Sequence, residues 1–164
     1  MISALSRTMT TSLPRALGRI PSGLFIVTTV RAGQPVGFLG SLVQQVGFAP
    51  PTVSLAVAKD REPLVDLRRA GRFTLSILDA LSRPRMALFL KRPASGLSPY
   101  EELATAPAPS GLPYLTESLA WLDCRVVGEH EVPDHVVFFA AVEAGGQLRE
   151  GDPHVHLRRN GLSY

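Results

Sequence analysis

Apolar and polar residues alternate along several short segments of this chain, which is typical of β-strands with one buried face. The clearest case is TVSLAVA at 52–58, where Val53, Leu55 and Val57 fall on one face. A turn at RAGQP, 31–35, predicts that the segments on either side of it pair as a hairpin. The other strand-like segments are GLFIVTTV at 23–30, RFTLSIL at 72–78, LAWLDCRVVGEHEV at 119–132, HVVFFAAVEAG at 135–145 and HVHLRR at 154–159.

Three short segments carry helix signals instead. Residues 12–20 place apolar side chains on one face, residues 62–71 have Pro63 near the start and Gly71 past the end, and residues 82–90 form a third short helix. Because regular helices do not separate the strands, a parallel doubly wound sheet is disfavoured. We predict a mainly β fold, an antiparallel Greek-key β-barrel with a few short flanking helices.

The composition indicates one globular domain. The chain has 164 residues, of which 45% are hydrophobic. We expect a flexible N-terminal segment at 1–12 and the domain at 13–164, with the Pro- and Gly-rich stretch 95–113 forming a long surface loop inside it.

No run of about 18 apolar residues exists, so we predict no membrane span. The start lacks the apolar core of a secretory signal, and a lone Cys124 suits a reducing cytoplasm.

The charge pattern argues against a nucleic-acid partner. The formal net charge is +3, but basic residues are interspersed with acidic ones, as in KDRE at 59–62, and aromatic residues make up only 7%. A basic surface can equally attract a phosphate-bearing ligand. His154 and His156 are two apart with no third ligand in evidence, so we predict no metal site.

The stretch GFLGSLVQQVGFAPP, 37–51, is mostly apolar but is interrupted by glycines, amides and a hydroxyl. Gly37 and Gly40 would let the backbone approach a flat ligand closely, and Ser41 could donate to a phosphate oxygen. The amides of Gln44 and Gln45 could bond to a ring system, with Lys59 and Arg61 supplying positive charge. The alternative is a hairpin strand with a bulge, in which the glycines only shape the barrel.

The chain resembles the flavin reductase-like family, the FMN-binding split barrels. The similarity is greatest to the flavin reductase domain at the C-terminus of diflavin flavoproteins, here standing alone. It rests on LGRIPSGLFIVTT (17–29), GFLGSLVQQVGFAPPTVSLAVAKDRE (37–62), GRFTLSIL (71–78), LDCRVVGEHEVPDHVVFFAAVE (122–143) and HLRRNGLSY (156–164), in that order. The resemblance implies a homodimer of six-stranded antiparallel Greek-key split barrels that bind FMN, or sometimes FAD.

The resemblance also implies site residues. Those that would bind the flavin are Ser22, Phe38, Leu39, Gly40, Ser41, Gln45, Ala58, Lys59, Asp60 and Arg61. His135 would face the nicotinamide, and Tyr164 would cover the ring. Many family members have Thr where Leu39 stands and Gly where Pro133 stands.

The function implied is hydride transfer from NADH or NADPH to the bound flavin. The protein would then supply reduced flavin or electrons to a partner such as a monooxygenase. A proline before Asp134 and His135 keeps an alternative open, a flavin-binding module without nicotinamide turnover. An FMN-dependent oxidase of the same fold is a further alternative.

Overall fold

The computed structural model describes residues 12–90 and 98–163. They divide into two compact units. One unit combines the chain up to Ser22 with the chain from Val155 onward, and the other runs from Gly23 to His154. The predicted flexible segment 1–12 lies, apart from Ser12, outside the described residues.

The larger unit is built on a seven-stranded antiparallel sheet with the order β2-β1-β5-β8-β9-β4-β3. The strands of the unit are β1 Phe25–Arg31, β2 Gln34–Gly40, β3 Val43–Phe48, β4 Pro51–Ala58, β5 Arg72–Ile77, β6 Thr105–Pro107, β7 Pro113–Leu115, β8 Ala120–Glu131 and β9 His135–Gln147. β6 and β7 pair separately as a small hairpin.

The two edge strands of the sheet are consecutive in the chain. Only Ser41 and Leu42 separate the end of β2 from the start of β3, so the two edges of the sheet must lie side by side and the sheet curls into a barrel. Counted as one bent strand, β2 and β3 bring the barrel to six strands. The predicted fold class, a mainly β antiparallel barrel with few short helices, is confirmed.

Local sequence explains the pairing of β1 with β2. The two residues of the turn, Ala32 and Gly33, have φ of 49° and 76°. Such a turn matches the right-handed twist of the strands that it joins. The predicted hairpin is therefore confirmed, with Arg31 opposite Gln34 and Phe25 opposite Gly40.

Alternation along β4 fills the barrel as predicted, because Val53, Leu55 and Val57 are all buried. They belong to the main core, whose other large members include Val27, Phe38, Phe73, Leu75 and Phe138. A second apolar cluster contains Leu24, Ile26, Leu78 and Leu115, with Leu39, Phe89 and Tyr100 packed against it.

Short helices accompany the strands. Residues 12–17 form α1, α2 is Pro63–Ala70, a 3₁₀ turn at Arg83–Met86 leads into α3 Ala87–Leu90, and α4 is Pro99–Glu102. Gly71 ends α2 with φ of 65°, and its N–H donates to the Leu67 carbonyl at 2.9 Å. The first three helices were predicted, although α1 ends earlier than residue 20.

Two sequence predictions are wrong. The 154–159 segment is no strand: its backbone pairing is a single bridge between His156 and Ser22. The described part of 95–113 is no plain loop, since it holds α4, the strand β6 and the first residue of β7. Ser98 and Glu101 form a reciprocal capping box at the start of α4, a pattern that favours a helix within a Pro-rich stretch.

Within the ranges given above, no helix has both the length and the apolar character needed to cross a membrane.

Candidate flavin site

Ser41 lies at the corner where the chain passes from β2 to β3. Only 8% of its surface is exposed, and its hydroxyl has no hydrogen-bond partner among the described residues. Every fully enclosed side-chain polar atom in this part of the chain does have a partner. The Ser41 hydroxyl must therefore reach the surface, where it can bond to a ligand.

The strand register brings two further segments to this corner. The Ala56 N–H donates to the Leu42 carbonyl at 2.9 Å, which continues the β3–β4 register and places Ser41 beside the C-terminal end of β4. On the other side of β4, Ala58 pairs with His135. Ser41, Ala58 and His135 thus lie on three neighbouring segments at one end of the barrel.

The turn after β4 carries two of the predicted cations. The Lys59 N–H donates to the Asp134 carbonyl at 2.9 Å, which ties this turn to the turn between β8 and β9. The Lys59 ammonium lies 3.0 Å from the Glu131 carboxylate. Arg61 and Asp60 are exposed, and Arg61 forms no ion pair with another described residue. Arg61 is therefore the cation with more freedom to meet a phosphate.

Asp134 and His135 form a pair at the start of β9. The His135 Nδ1 lies 2.9 Å from the Asp134 carboxylate, and the hydrogen bond between them lowers the pKa of Asp134. Pro133 and Asp134 form the corner of a turn that is closed by a 3.0 Å bond from the Val132 N–H to the His135 carbonyl. A proline suits this corner because its fixed φ is a turn conformation.

Other residues predicted to bind the flavin have side chains engaged in packing. The Phe38 ring lies in the barrel core, and Leu39 packs against the second apolar cluster. A Cβ on Gly40 would come 3.0 Å from a Val27 methyl group. What these residues can offer a ligand is backbone, because among the described strands β2 pairs only with β1, so that its other edge has no strand partner there.

Gln45 lies on β3, away from the corner. It is exposed, and its amide donates to the Gly47 carbonyl at 3.2 Å, beside the bulge between these two residues. This bulge agrees with the alternative interpretation of residues 37–51, in which they form a hairpin strand with a bulge.

Gly37 serves packing rather than ligand approach, contrary to the prediction. A Cβ there would overlap the Tyr100 hydroxyl and lie 2.9 Å from the Phe89 ring. Tyr100 is held in place by a 2.6 Å hydrogen bond with the Thr28 hydroxyl, and burial raises the pKa of Tyr100. Sequence reasoning missed Tyr100, although the SPYE capping pattern at 98–101 could have indicated that it lies on an ordered segment.

Two further predicted residues, Ser22 and Tyr164, lie outside the larger unit that carries the corner. Ser22 belongs to the smaller unit, where its backbone pairs with His156. Tyr164 lies outside the described residues.

Cys124 is a buried core residue, as predicted, and burial raises the pKa of its thiol to about 12. Among the described residues, no cluster of three or more His, Cys, Asp or Glu could hold a metal ion.

Residues 17–161 match the family described as flavin reductase like domain. The chain belongs to this family. The resemblance stated from the sequence is confirmed.

Curated relatives from Synechocystis sp. bear the names diflavin flavoprotein A 3 and A 1. They are 37% and 35% identical over 163 and 160 residues, which cover 99% and 96% of this chain. The chain spans only 27% and 28% of the length of these relatives. The match is therefore to one part of each longer protein.

Solved structures of the same fold include component B of nitrilotriacetate monooxygenase from Mycobacterium thermoresistibile. It is 27% identical with a TM-score of 0.81, and the match covers 93% of this chain and 84% of that one. The styrene monooxygenase flavin reductase from Pseudomonas putida is 26% identical with a TM-score of 0.75, over 87% of this chain and 90% of that one.

The corner residues fit a flavin. Ser41 is only 8% exposed and its hydroxyl has no partner among the described residues; it lies next to the edge strand β2 and a turn with two cations. A flavin has both an acceptor-rich ring and a phosphate tail, which these groups can meet.

Proposed function

We propose that this protein is an NAD(P)H:flavin oxidoreductase that transfers hydride from a nicotinamide to bound FMN, or to FAD. The observation that carries the proposal is Ser41, a residue that is 8% exposed and whose hydroxyl has no partner among the described residues, at the corner of a flavin reductase-like barrel. In this proposal the same corner holds the flavin and receives the nicotinamide.

Each residue at the corner has a role that its chemistry supports. The Ser41 hydroxyl donates to a phosphate oxygen, and Arg61 and Lys59 add positive charge beside it. Backbone N–H groups near Gly40 and Ser41 stabilise negative charge on the ring system. When bound, the flavin supplies the hydride-accepting chemistry, and the protein orients it.

His135 is proposed to position the nicotinamide. Its ring is held by Asp134 through Nδ1, and only 17% of its side chain is exposed. A ring fixed in this way can help to position the carboxamide of a nicotinamide. From the family resemblance, we also propose that Tyr164 covers the flavin ring.

A second candidate function is a flavin-binding module without nicotinamide turnover, which Pro133 keeps open. An FMN-dependent oxidase is the third. The test is to mix the purified protein with FMN and NADH or NADPH in the absence of oxygen. Bleaching of the yellow flavin band by either nicotinamide supports the reductase. A yellow protein that never bleaches supports the module, and oxidation of a substrate without nicotinamide points to the oxidase.

Replacing His135 should affect the nicotinamide more than the flavin. We expect His135→Ala to raise the KM for the nicotinamide while leaving the flavin dissociation constant nearly unchanged, because the ring is assigned to orienting the nicotinamide. Steady-state kinetics and a flavin fluorescence titration measure the two quantities. Asp134→Asn should produce a smaller effect of the same kind, since it keeps the imidazole but weakens its orientation. Equal loss of both affinities would assign His135 to the fold instead.

The proposal extends to partners and location. The names of the two solved neighbours, a monooxygenase component and a monooxygenase flavin reductase, support a partner oxygenase. A homodimer is supported by the apolar side chains that β3 exposes, Val46 at 51% and Phe48 at 86%. The single cysteine of the chain suits a cytoplasmic location.

A further inference from the structure

The smaller unit has a cleft of its own. Its volume is about 590 Å³, and it is lined by Ser12, Arg15, Ala16, Arg19 and Arg159. Arg15 and Arg19 are four residues apart on α1 and the turn that continues it, so they point to the same side. Arg159 comes from the other end of the chain. We call this feature the arginine cleft.

Backbone contacts hold the two halves of the cleft together. Ser22 and His156 exchange two backbone hydrogen bonds, of 3.1 and 2.7 Å, and the Gly161 N–H donates to the Pro14 carbonyl at 2.7 Å. Gly18 and Gly161 lie at the crossing, where neither position has room for a Cβ. The position of Arg159 relative to α1 is thus fixed by packing.

The charge of the cleft is not neutralised locally. Segments 12–22 and 155–163 contain four arginines and no Asp or Glu. None of the three cleft arginines forms an ion pair within the part of the chain that the structure describes. Arg19 donates instead to the Arg158 carbonyl at 3.3 Å. Holding like charges together costs free energy, which a bound anion would offset.

We propose that the arginine cleft binds the phosphate groups of a small organic phosphate of the nucleoside diphosphate class. Guanidinium groups bind phosphate oxygens in a bidentate manner, and three of them match the charge of a diphosphate better than that of one carboxylate. The volume falls within the range of about 300–1,000 Å³ found for small-molecule sites. None of the residues assigned above to the flavin is among those that line the cleft.

The test uses isothermal titration calorimetry of the full chain at low ionic strength, with ADP and sodium pyrophosphate as probes. We expect both to bind, with an affinity that falls steeply as salt is added. Arg15→Gln, Arg19→Gln and Arg159→Gln should each weaken binding about three- to fivefold, as expected for exposed charge pairs. Arg69→Gln is the matched control, because Arg69 is an exposed arginine on α2 outside the cleft. It should leave binding unchanged.

Each outcome decides the proposal. Tighter binding of ADP than of pyrophosphate supports a nucleotide, and equal binding supports a site that recognises the diphosphate alone. The proposal is overturned if neither ADP nor pyrophosphate binds. It is also overturned if Arg69→Gln weakens binding as much as the cleft variants do, because binding would then depend only on the net charge of the protein. If the protein binds polyglutamate but neither ADP nor pyrophosphate, the proposal is also overturned, since the cleft would then be a surface for an acidic protein.

Two further variants separate this proposal from the reductase proposal. Arg15→Lys keeps the charge and loses the bidentate fork, so it should bind ADP more weakly than the wild type even if the glutamine variants fold poorly. Ser41→Ala should bind ADP normally while losing flavin affinity. A loss of ADP binding in Ser41→Ala, with an unchanged circular dichroism spectrum, would place the phosphate at the barrel corner and not in the arginine cleft.

Discussion

At the scale of single residues, the Ser41 hydroxyl carries the flavin proposal. Ser41→Ala removes a donor that we assign to a charged phosphate, a bond worth about 1.5–3 kcal/mol. The flavin dissociation constant should therefore rise by about one to two orders of magnitude, measured by quenching of flavin fluorescence. Thermal stability should change little, because within residues 12–90 and 98–163 the hydroxyl has no partner to lose.

Ser54→Ala is the matched control for that experiment. Ser54 also lies in the barrel wall, on β4, but its hydroxyl donates to the Gln44 carbonyl at 3.4 Å. We expect this variant to bind flavin as the wild type does. Similar losses in both variants would show that the effect comes from the barrel wall in general and would remove Ser41 from the site.

At the scale of elements, the contact between Gly37 and Tyr100 joins the Pro-rich segment to β2. Gly37→Ala places a methyl group where the Tyr100 hydroxyl lies, so Tyr100 must move and lose its bond to Thr28. We expect a loss of about 2 kcal/mol in the free energy of unfolding, measured with urea. Gly128→Ala is the control, because a Cβ on that strand glycine meets no atom within 4 Å. If the two alanine variants are equally stable, the contact does not contribute to stability.

A second link between elements is the cluster of the buried Asp79 and Ser82 with the half-buried Arg149. Arg149 donates to both Asp79 oxygens, at 2.6 and 3.0 Å, and the Ser82 hydroxyl donates to Asp79 at 2.7 Å. Although burial opposes it, the bonds from Ser82 and the Arg149 ion pair lower the pKa of Asp79. Arg149→Gln leaves the Asp79 charge with less compensation, and we expect a loss of about 2 kcal/mol at pH 7.

The same cluster predicts a dependence on pH. A carboxyl group whose pKa is lower in the folded state stabilises the fold above its unfolded pKa, near 3.9, and this contribution is lost as the pH falls through the folded pKa. The wild type should therefore lose stability in acid more steeply than Arg149→Gln. Unfolding in urea between pH 7 and pH 3 tests this. A stability difference that stays constant over the whole range would contradict it.

The alternation of apolar and polar residues in the sequence predicted strands in which one face is buried and the other is not. Val53, Leu55 and Val57 identified β4 because side chains on one face of a strand repeat every second residue. The 154–159 segment alternates in the same way, yet it forms only an isolated bridge at His156 and no strand, since alternation does not reveal whether a partner strand exists. The role of Gly37 likewise depends on Tyr100, which is 63 residues away in the chain and which no local pattern connects to it.

In the candidate site, too, motifs within one stretch of sequence could be predicted, whereas contacts between distant segments could not. The motif around Ser41 and the Asp134–His135 pair could be found in the sequence because each is a contiguous stretch. That the two meet at one end of the barrel follows from the register of β3, β4 and β9, which depends on long-range pairing. The packing of the Phe38 and Leu39 side chains in the two apolar clusters likewise depends on contacts that the motif does not show, and their role in binding flavin stays a prediction.

At the scale of the whole molecule, the exposed face of β3 predicts the oligomeric state. A chain of this size that exposes Val46 and Phe48 on an edge strand is expected to cover them, and the proposed homodimer would do so. Phe48→Glu should shift the sedimentation coefficient from that of a dimer to that of a monomer, because it buries a charge in the proposed interface. Val65→Glu is the control, since Val65 is 58% exposed on α2, and it should leave the dimer intact. A wild-type chain that sediments as a monomer at micromolar concentration would refute the dimer, and dissociation by Val65→Glu in place of Phe48→Glu would move the interface to α2.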